Sequence, residues 1–144
     1  MKRVVSFVLM LIICISLCAC GKRGTELTTS NYDEYFDLNI QCADFNEQKG
    51  DSYRTCDGTI LICLEAKAGV EIDIESVSVK ITLDNPWSFG GATTKTVILE
   101  RDGSGDVWFA QLDCNAKSML VNTSISLSRS DISVKVTDIS GYAN

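Results

Sequence analysis

From residue 38 onward, most of this chain alternates between apolar and polar residues with a period of two. The clearest run is 77–83, which reads Val-Ser-Val-Lys-Ile-Thr-Leu. Successive side chains of a β-strand point to opposite faces, so this pattern predicts strands that bury one face and expose the other. Little interrupts these runs, because the chain contains a single proline among 144 residues. The alternation argues against a helical fold and favours antiparallel sheets.

Seven segments carry this alternation or have an apolar centre bounded by turn residues. They are residues 38–42, 58–68, 70–83, 94–101, 106–113, 121–128 and 132–137. Within the third segment the apolar register slips by one residue, which predicts a bulge, bend or turn at Glu75-Ser76. The glycine-rich stretch 102–105 predicts a hairpin that joins the fourth and fifth segments.

Seven short strands without a long helix predict an all-β fold, specifically an antiparallel β-sandwich. We expect it to be immunoglobulin-like in architecture only, since the tyrosine corner and cysteine–tryptophan spacing of antibody domains are not evident. A small β-barrel is the alternative. A short N-terminal helical turn is expected over Asn31–Asp37, with Ser30 as its cap and acidic residues in its first turn.

The first 21 residues differ in character from the rest. Lys2 and Arg3 precede an apolar run that ends at Ser16, and Leu17-Cys18-Ala19-Cys20-Gly21 follows. This arrangement resembles the lipobox of bacterial lipoproteins, in which an aliphatic residue and two small residues precede a diacylated cysteine. The resemblance implies a signal peptide over 1–19 and a lipid-anchored tether over 20–29. The alternating pattern assigns residues 30–144 to the β-sandwich domain.

Cys20 is the predicted lipidation site, because Gly21 and two basic residues follow it directly, with Cys14 and Cys18 as alternatives. A secretory signal and a retained membrane anchor are the other interpretations, although a bilayer span needs roughly 20 apolar residues. Two acyl chains such as palmitate anchor a protein far more stably than one. We therefore expect a lipoprotein at the cell membrane that faces the extracytoplasmic side.

Charge and composition exclude several function classes. Without residues 1–19 the chain holds 11 basic and 19 acidic residues, a net charge of −8, which argues against nucleic acid as a partner. The chain also lacks histidine, the commonest general base and transition-metal ligand. A Ser-His-Asp or Cys-His arrangement is thereby impossible, and no Gly-x-Ser-x-Gly elbow occurs. We expect neither enzymatic activity nor a cofactor.

Four cysteines follow the predicted lipidation site, namely Cys42, Cys56, Cys63 and Cys114. An even number suits disulfides in an exported chain, and four cysteines allow three pairings. Cys42 and Cys56 are the first pair to consider, because they bracket a polar loop. The alternative is that the cysteines are buried free thiols, and Cys63 fits it because apolar residues flank it on both sides. A zinc site is not supported by the spacing.

The aromatic loop at residues 85–91 is a candidate binding site. Its Trp87 and Phe89, together with Trp108, could stack on a sugar ring or anchor a partner protein. The alternative is a plug that caps the core between the strands. Exposure of these rings distinguishes the two interpretations.

The second candidate loop holds Asp102, Ser104 and Asp106, which alternate as calcium ligands do. Val107 stands where an EF-hand loop needs a glycine, and a strand follows at once. We therefore expect a plain hairpin turn and no metal site, with calcium as the alternative.

These features predict an exported lipoprotein with a binding or structural role. The leading hypothesis is a protein-interaction or structural accessory module of the cell envelope. The alternative is a carbohydrate- or small-ligand-binding domain that uses the aromatic residues. The expected partners are membrane lipid through the acylated Cys20 and either an envelope protein or cell-wall carbohydrate.

Overall fold

The structure is a computed structural model that describes residues 24–144. The predicted signal peptide and Cys20 lie outside the described residues and stay predictions. In the part of the chain that is described, no helix is long and apolar enough to cross a bilayer.

Residues 24–144 form nine strands, one short helix and one 3₁₀ turn. The strands are β1 (Thr25–Glu26), β2 (Phe36–Lys49), β3 (Arg54–Ala66), β4 (Ile72–Leu83), β5 (Trp87–Ser88), β6 (Thr94–Ile98), β7 (Glu100–Arg101), β8 (Val107–Ser118) and β9 (Ile132–Ala143). The helix α1 spans Tyr32–Tyr35, and the 3₁₀ turn spans Arg129–Asp131.

The strands form two antiparallel sheets. Sheet 1 has the order β1-β9-β4-β6, and sheet 2 has the order β2-β3-β8-β5, with β7 also paired to β8. The inward-facing side chains of both sheets make one apolar core. The predicted antiparallel β-sandwich is therefore confirmed, and the sheets do not close into the alternative barrel.

Strand β3 lies at the centre of this core. Its inward residues Ile60, Ile62 and Leu64 are 0 % exposed. Its outward residues Leu61 and Cys63 are half-buried rather than exposed, so the strand is apolar on both faces. The predicted irregularity in β4 is also confirmed, because the register with β9 shifts between Ile74 and Ser76.

The predicted hairpin is wrong in its extent. Strand β6 pairs with β4 in sheet 1, and only the two residues of β7 pair with β8 in sheet 2. The chain changes sheets at Leu99, which is buried and whose N–H donates to the Val77 carbonyl at 2.9 Å. Alternation specifies a strand and its buried face but not the neighbour that it pairs with, which explains the error.

Residues 121–128 are not a strand, although their alternation predicted one. Ile125 and Leu127 are buried and the serines beside them are exposed, as the pattern indicates. The segment makes no ladder with either sheet in the described chain. Its burial pattern is real, but the backbone hydrogen bonds of Ile125 and Leu127 go to side chains.

The N-terminal boundary and cap also differ from the prediction. β1 pairs with the end of β9, and Leu27 is buried, so residues 25–29 belong to the domain rather than to the tether. Two paired residues are too few to produce a visible alternation. The predicted helical turn is present as α1, but Ser30 does not cap it, because its hydroxyl lies 3.0 Å from that of Thr28.

Gly58 sits where three side chains converge at one end of the core. A Cβ at this position would lie 2.9 Å from Trp87 Cζ3, 2.9 Å from Leu127 Cδ2 and 3.0 Å from Cys114 Sγ. The indole N–H of Trp87 donates to the Ser126 carbonyl at 3.3 Å, which fixes the ring in this position. The missing side chain of Gly58 therefore makes room for the tryptophan.

We expect Gly58→Ala to lower the free energy of unfolding by about 1–3 kcal/mol, because the methyl group overpacks this end of the core. Urea unfolding measures the change. Gly103→Ala is the matched control, since a Cβ there meets nothing within 4 Å and should change stability by less than about 0.5 kcal/mol. Equal effects of the two substitutions would contradict the packing argument.

Candidate functional site

The structure does not bring the three predicted aromatic residues together. Trp87 pairs with Ala116 on β8, whereas Trp108 lies eight residues earlier on that strand, about 27 Å away at roughly 3.4 Å per residue. Trp87 is 1 % exposed and Trp108 is 3 % exposed, so neither ring can stack on a ligand. Large aromatic rings fill the apolar space at the two ends of the sandwich, and the plug interpretation is the correct one for Trp87.

The other aromatic contacts are also structural. Trp108 packs edge-on against Phe36 with ring centroids 5.6 Å apart, and the Arg101 guanidinium lies 5.4 Å from its ring centre. Phe89 is half-buried, and Lys95 Nζ lies 5.8 Å from its ring centre. Each of these rings therefore makes its contacts locally, and they do not form a shared binding surface.

In the acidic turn at residues 102–106, the Asp102 carboxylate accepts hydrogen bonds from the turn itself. Asp102 Oδ1 accepts hydrogen bonds from the Ser104 hydroxyl at 2.6 Å and from the Gly105 N–H at 3.0 Å. The hydrogen bonds from the Ser104 hydroxyl and from the backbone N–H groups of Gly105 and Ser104 hold the pKa of Asp102 below its ordinary value. Among residues 24–144, no group of three or more cysteine or acidic side chains is placed to hold a metal ion. The geometry fits a hairpin turn between β7 and β8.

The predicted disulfide between Cys42 and Cys56 does not fit the register. Cys42 stands opposite Ile60 on β3, four residues from Cys56 along that strand, which is about 14 Å at roughly 3.4 Å per residue. A disulfide needs Cα atoms about 4.4–6.8 Å apart. Cys42 and Cys56 bracket a loop in the sequence, but the strand register does not place them side by side. All four cysteines after residue 24 are free thiols.

Burial sets the chemistry of these thiols. It raises the pKa of Cys42, Cys56 and Cys63, and it raises that of Cys114 to about 11 with help from the charge on Asp113. The reactive form of cysteine is the thiolate, so thiols with raised pKa values are weak nucleophiles near neutral pH. Cys56 and Cys114 are core side chains and Cys42 packs against the core, whereas Cys63 lies on the outward face of β3.

Two carboxylates on β2 hold the segment 121–128 against the end of the sandwich. Asp44 Oδ1 accepts from the Leu127 N–H at 3.1 Å, and Glu47 Oε1 accepts from the Ile125 N–H at 3.1 Å. Residues three apart on a regular strand face opposite ways. Here the register shifts between Phe45 and Gln48, and Asn46 has a φ of 54°, so both carboxylates reach the same segment.

Arg54 completes this connection, which we call the carboxylate clasp (Asp44, Glu47 and Arg54). Its Nη1 lies 2.7 Å from Glu47 Oε1, and its Nε donates to the Val121 carbonyl at 2.6 Å. The guanidinium and the Ile125 N–H lower the pKa of Glu47. The clasp therefore satisfies backbone groups that a sheet ladder would otherwise pair.

We expect acidification from about pH 6.5 to about pH 3.5 to weaken this end of the fold. A carboxyl whose pKa is lowered by folding stabilises the protein above its ordinary pKa and loses that contribution as the pH falls through the lowered value. Glu47→Gln should be less stable than the wild type at the higher pH and should show a smaller loss on acidification. Urea unfolding at each pH measures both effects, with exposed Glu71→Gln as the control. A wild-type pH profile in Glu47→Gln would show that the clasp contributes nothing.

Most outward-facing side chains of β2, β3 and β8 form a regular surface on sheet 2. They lie in five rows across β2, β3 and β8, which are Phe45, Asp57 and Asn115; Ala43, Thr59 and Asp113; Gln41, Leu61 and Gln111; Asn39, Cys63 and Phe109; and Asp37, Glu65 and Val107. We call these five rows the acidic face, because they contain four acidic residues and no basic one. Lys117 lies on the same side of β8 beyond the row that contains Asn115, opposite Thr55.

The centre of the acidic face is apolar and shallowly grooved. Leu61, Cys63 and Phe109 are half-buried at its middle, and Phe45 is exposed at one end. A groove of about 260 Å³ runs beside Leu61, lined also by Gln41 and Gln111. Acidic side chains flank this apolar centre, with Asp57 and Asp113 at one end and Asp37 and Glu65 at the other. The sequence signal for this face was the run 60–64, which is apolar at outward positions as well as inward ones.

The outer face of sheet 1 has a different character. Lys80 on β4 and Lys135 on β9 stand directly opposite each other, with Thr82 and Ser133 in the next row. Like charges at directly opposed positions are destabilising, and both lysines are exposed. The middle of this outer face therefore carries two basic residues, which the rows of the acidic face lack.

The fold is that of an all-β sandwich protein. Comparison with known proteins does not assign a function to it. The chain matches no protein-family model, and neither curated proteins nor solved structures gave a significant match.

Proposed function

We propose that this chain is an exported lipoprotein, held at the cell membrane through an acylated Cys20, whose β-sandwich binds another envelope protein. The observation that carries the binding role is the acidic face, with an apolar centre and a charged surround. Protein interfaces commonly have an apolar core and a polar, solvent-accessible rim. Charged groups at the rim steer the partner and select its sign of charge. The partner we infer has apolar side chains surrounded by basic ones.

The position of the anchor supports this arrangement. The chain enters the fold at β1, which is the edge strand of sheet 1. The acidic face lies on sheet 2, so the entering segment does not cover it. Four residues lie between Cys20 and Thr25, and the five steps from one to the other reach at most about 17 Å at roughly 3.3 Å per residue. A domain on so short a tether meets partners that are themselves at or near the membrane.

Carbohydrate binding through the predicted aromatic residues has less support. Stacking on a sugar ring needs an exposed aromatic face, and the rings of Trp87 and Trp108 are buried. The acidic face offers only Phe45 and part of Phe109 for such contacts. A protein partner accounts better for an apolar strip enclosed by carboxylates.

The anchor is tested by growing cells with a labelled palmitate and isolating the protein. We expect the wild type to incorporate the label and Cys20→Ala to lose it, because the thiol at position 20 carries the acyl chains. Cys18→Ala is the matched control and should retain the label. Labelling that survives in Cys20→Ala would remove the anchor from the proposal.

The binding face is tested by placing a photo-crosslinking amino acid at Gln41 in intact cells and identifying the adducts. We expect a specific envelope protein, and we expect Asp57→Lys with Asp113→Lys to reduce the adduct at least about tenfold through charge repulsion. Lys80→Glu with Lys135→Glu on sheet 1 is the control and should leave the adduct unchanged. A crosslink that is insensitive to the first pair, or the absence of any protein adduct, would refute binding through the acidic face.

A further inference from the structure

Strand β8 has one edge fully paired and one edge paired only at its ends. β3 pairs with it from Val107 to Ser118. On the other edge, β7 pairs with Trp108 and Phe109, and β5 pairs with Asn115 and Ala116. Between these two short strands, residues 110–114 have no partner strand among the described residues. We call this stretch the β8 gap.

Hydrogen bonds at the end of β8 fix the direction of its backbone groups. The Ala66 N–H donates to the Asp106 carbonyl at 2.9 Å, so even-numbered residues of β8 point their backbone groups toward β3. The Asp102 N–H donates to the Val107 carbonyl at 2.8 Å, so odd-numbered residues point to the outer edge. The N–H and C=O groups of Gln111 and Asp113 therefore face outward in the gap, where an added strand would meet them.

A groove runs along the β8 gap, between the edges of the two sheets. Its volume is about 400 Å³, and it is lined by Lys95, Val97 and Ile98 from β6, by Glu100 from β7 and by residues 109–112 from β8. The Lys95 ammonium lies over the Phe89 ring, 5.8 Å from its centre. Ile98 is 67 % exposed, whereas Val97 is half-buried and Leu112 is buried in the core. The groove thus has an apolar floor beside a row of outward backbone groups.

Acidic side chains stand on the outer side of the same gap. Asp113 belongs to the acidic face, and Glu100 on β7 pairs with Phe109 at the end of the gap. Both are exposed. A strand lying in the gap would direct alternate side chains to the apolar floor and to this acidic outer side, because successive side chains point to opposite faces.

We propose that the β8 gap accepts an extended segment of the partner protein as an added antiparallel strand between β7 and β5. The segment alternates apolar residues, which face Val97 and Leu112, with basic residues, which face Asp113 and Glu100. Its paired part spans about five residues, or about 17 Å at roughly 3.4 Å per residue. Main-chain hydrogen bonds supply affinity in this mode of recognition, and the alternating side chains supply specificity. This inference rests on the proposed function, because it assigns the partner's mode of binding.

The other free edges are less suited to the role. β2 bends at the irregularity between Phe45 and Gln48, and such bulges protect edges from pairing. β6 is exposed on both faces over Thr94–Thr96, so an added strand there would bury little apolar surface. The edge of β9 is paired with β1 at one end only. Among the strand edges of residues 24–144, only the β8 gap has native strands at both ends that define the length and direction of an insertion.

The test uses a fluorescein-labelled peptide, Val-Lys-Val-Lys-Val-Lys-Val, and measures its anisotropy with the protein. Gln111→Pro removes an outward N–H that makes no bond to β3, so the fold should keep its thermal unfolding temperature while affinity falls at least about tenfold. Asp113→Pro is a second variant of the same kind and should have the same effect. The peptide Val-Glu-Val-Glu-Val-Glu-Val should bind at least about tenfold more weakly than the lysine peptide, because Asp113 and Glu100 repel it.

Thr96→Pro is the matched control on β6. Leu83 N–H donates to the Thr93 carbonyl, and Leu99 N–H donates to the Val77 carbonyl, so the Thr96 N–H faces away from β4. This substitution therefore also removes an outward N–H from an edge strand, and it should leave peptide affinity unchanged. Hydrogen exchange should show added protection of the Gln111 and Asp113 amides when the peptide is bound.

Several outcomes would overturn strand addition at the gap. These are no binding at peptide concentrations up to about 1 mM, equal affinity in Gln111→Pro, or loss of affinity in Thr96→Pro instead. Concentration-dependent dimerisation that protects the same amides without peptide would assign the gap to a second copy of the chain. A cellular adduct at Gln41 that persists in Gln111→Pro would preserve the proposed function and refute this mode of binding. Peptide binding without any cellular adduct would refute the proposed function alone.

Discussion

Strand β3 buries Ile60, Ile62 and Leu64 completely between two sheets, and the rest of the architecture depends on this packing. A strand that is apolar on its inner face cannot stay in water on both sides, so a second sheet must cover it. β4 and β9 supply that cover with their own alternating residues. The termini, the connections and the outer faces are then arranged around a core whose position the central strand determines.

The ends of the sandwich are closed by specific contacts rather than by further strands. Trp87 fills the space above Gly58, and the carboxylate clasp fixes the segment that passes over it. Buried backbone N–H groups need partners, and Asp44 and Glu47 provide them where no ladder does. This closure also accounts for the proximity of three features that are far apart in sequence, namely the aromatic loop, the irregular part of β2 and residues 121–128.

The candidate site follows from the same construction. Because β3 is apolar on both faces, its outward side chains Leu61 and Cys63 give the acidic face its apolar centre. The crossing of the chain at Leu99 leaves β7 only two residues long, which opens the β8 gap beside that face. The proposed binding surface and the proposed strand-addition site are therefore consequences of one central strand and one change of sheet.

The sequence by itself determined the strand class, the buried face of most strands and the irregularity at Glu75-Ser76, because alternation records which side chains leave water. It also indicated that 60–64 is apolar on both sides, which is the signal for the acidic face. Only the tertiary structure decided which strands pair, that Trp87 and Trp108 are buried far apart, and that Cys42 lies too far from Cys56 to bond. Those outcomes depend on contacts between residues distant in sequence, and a local period of two contains no information about them.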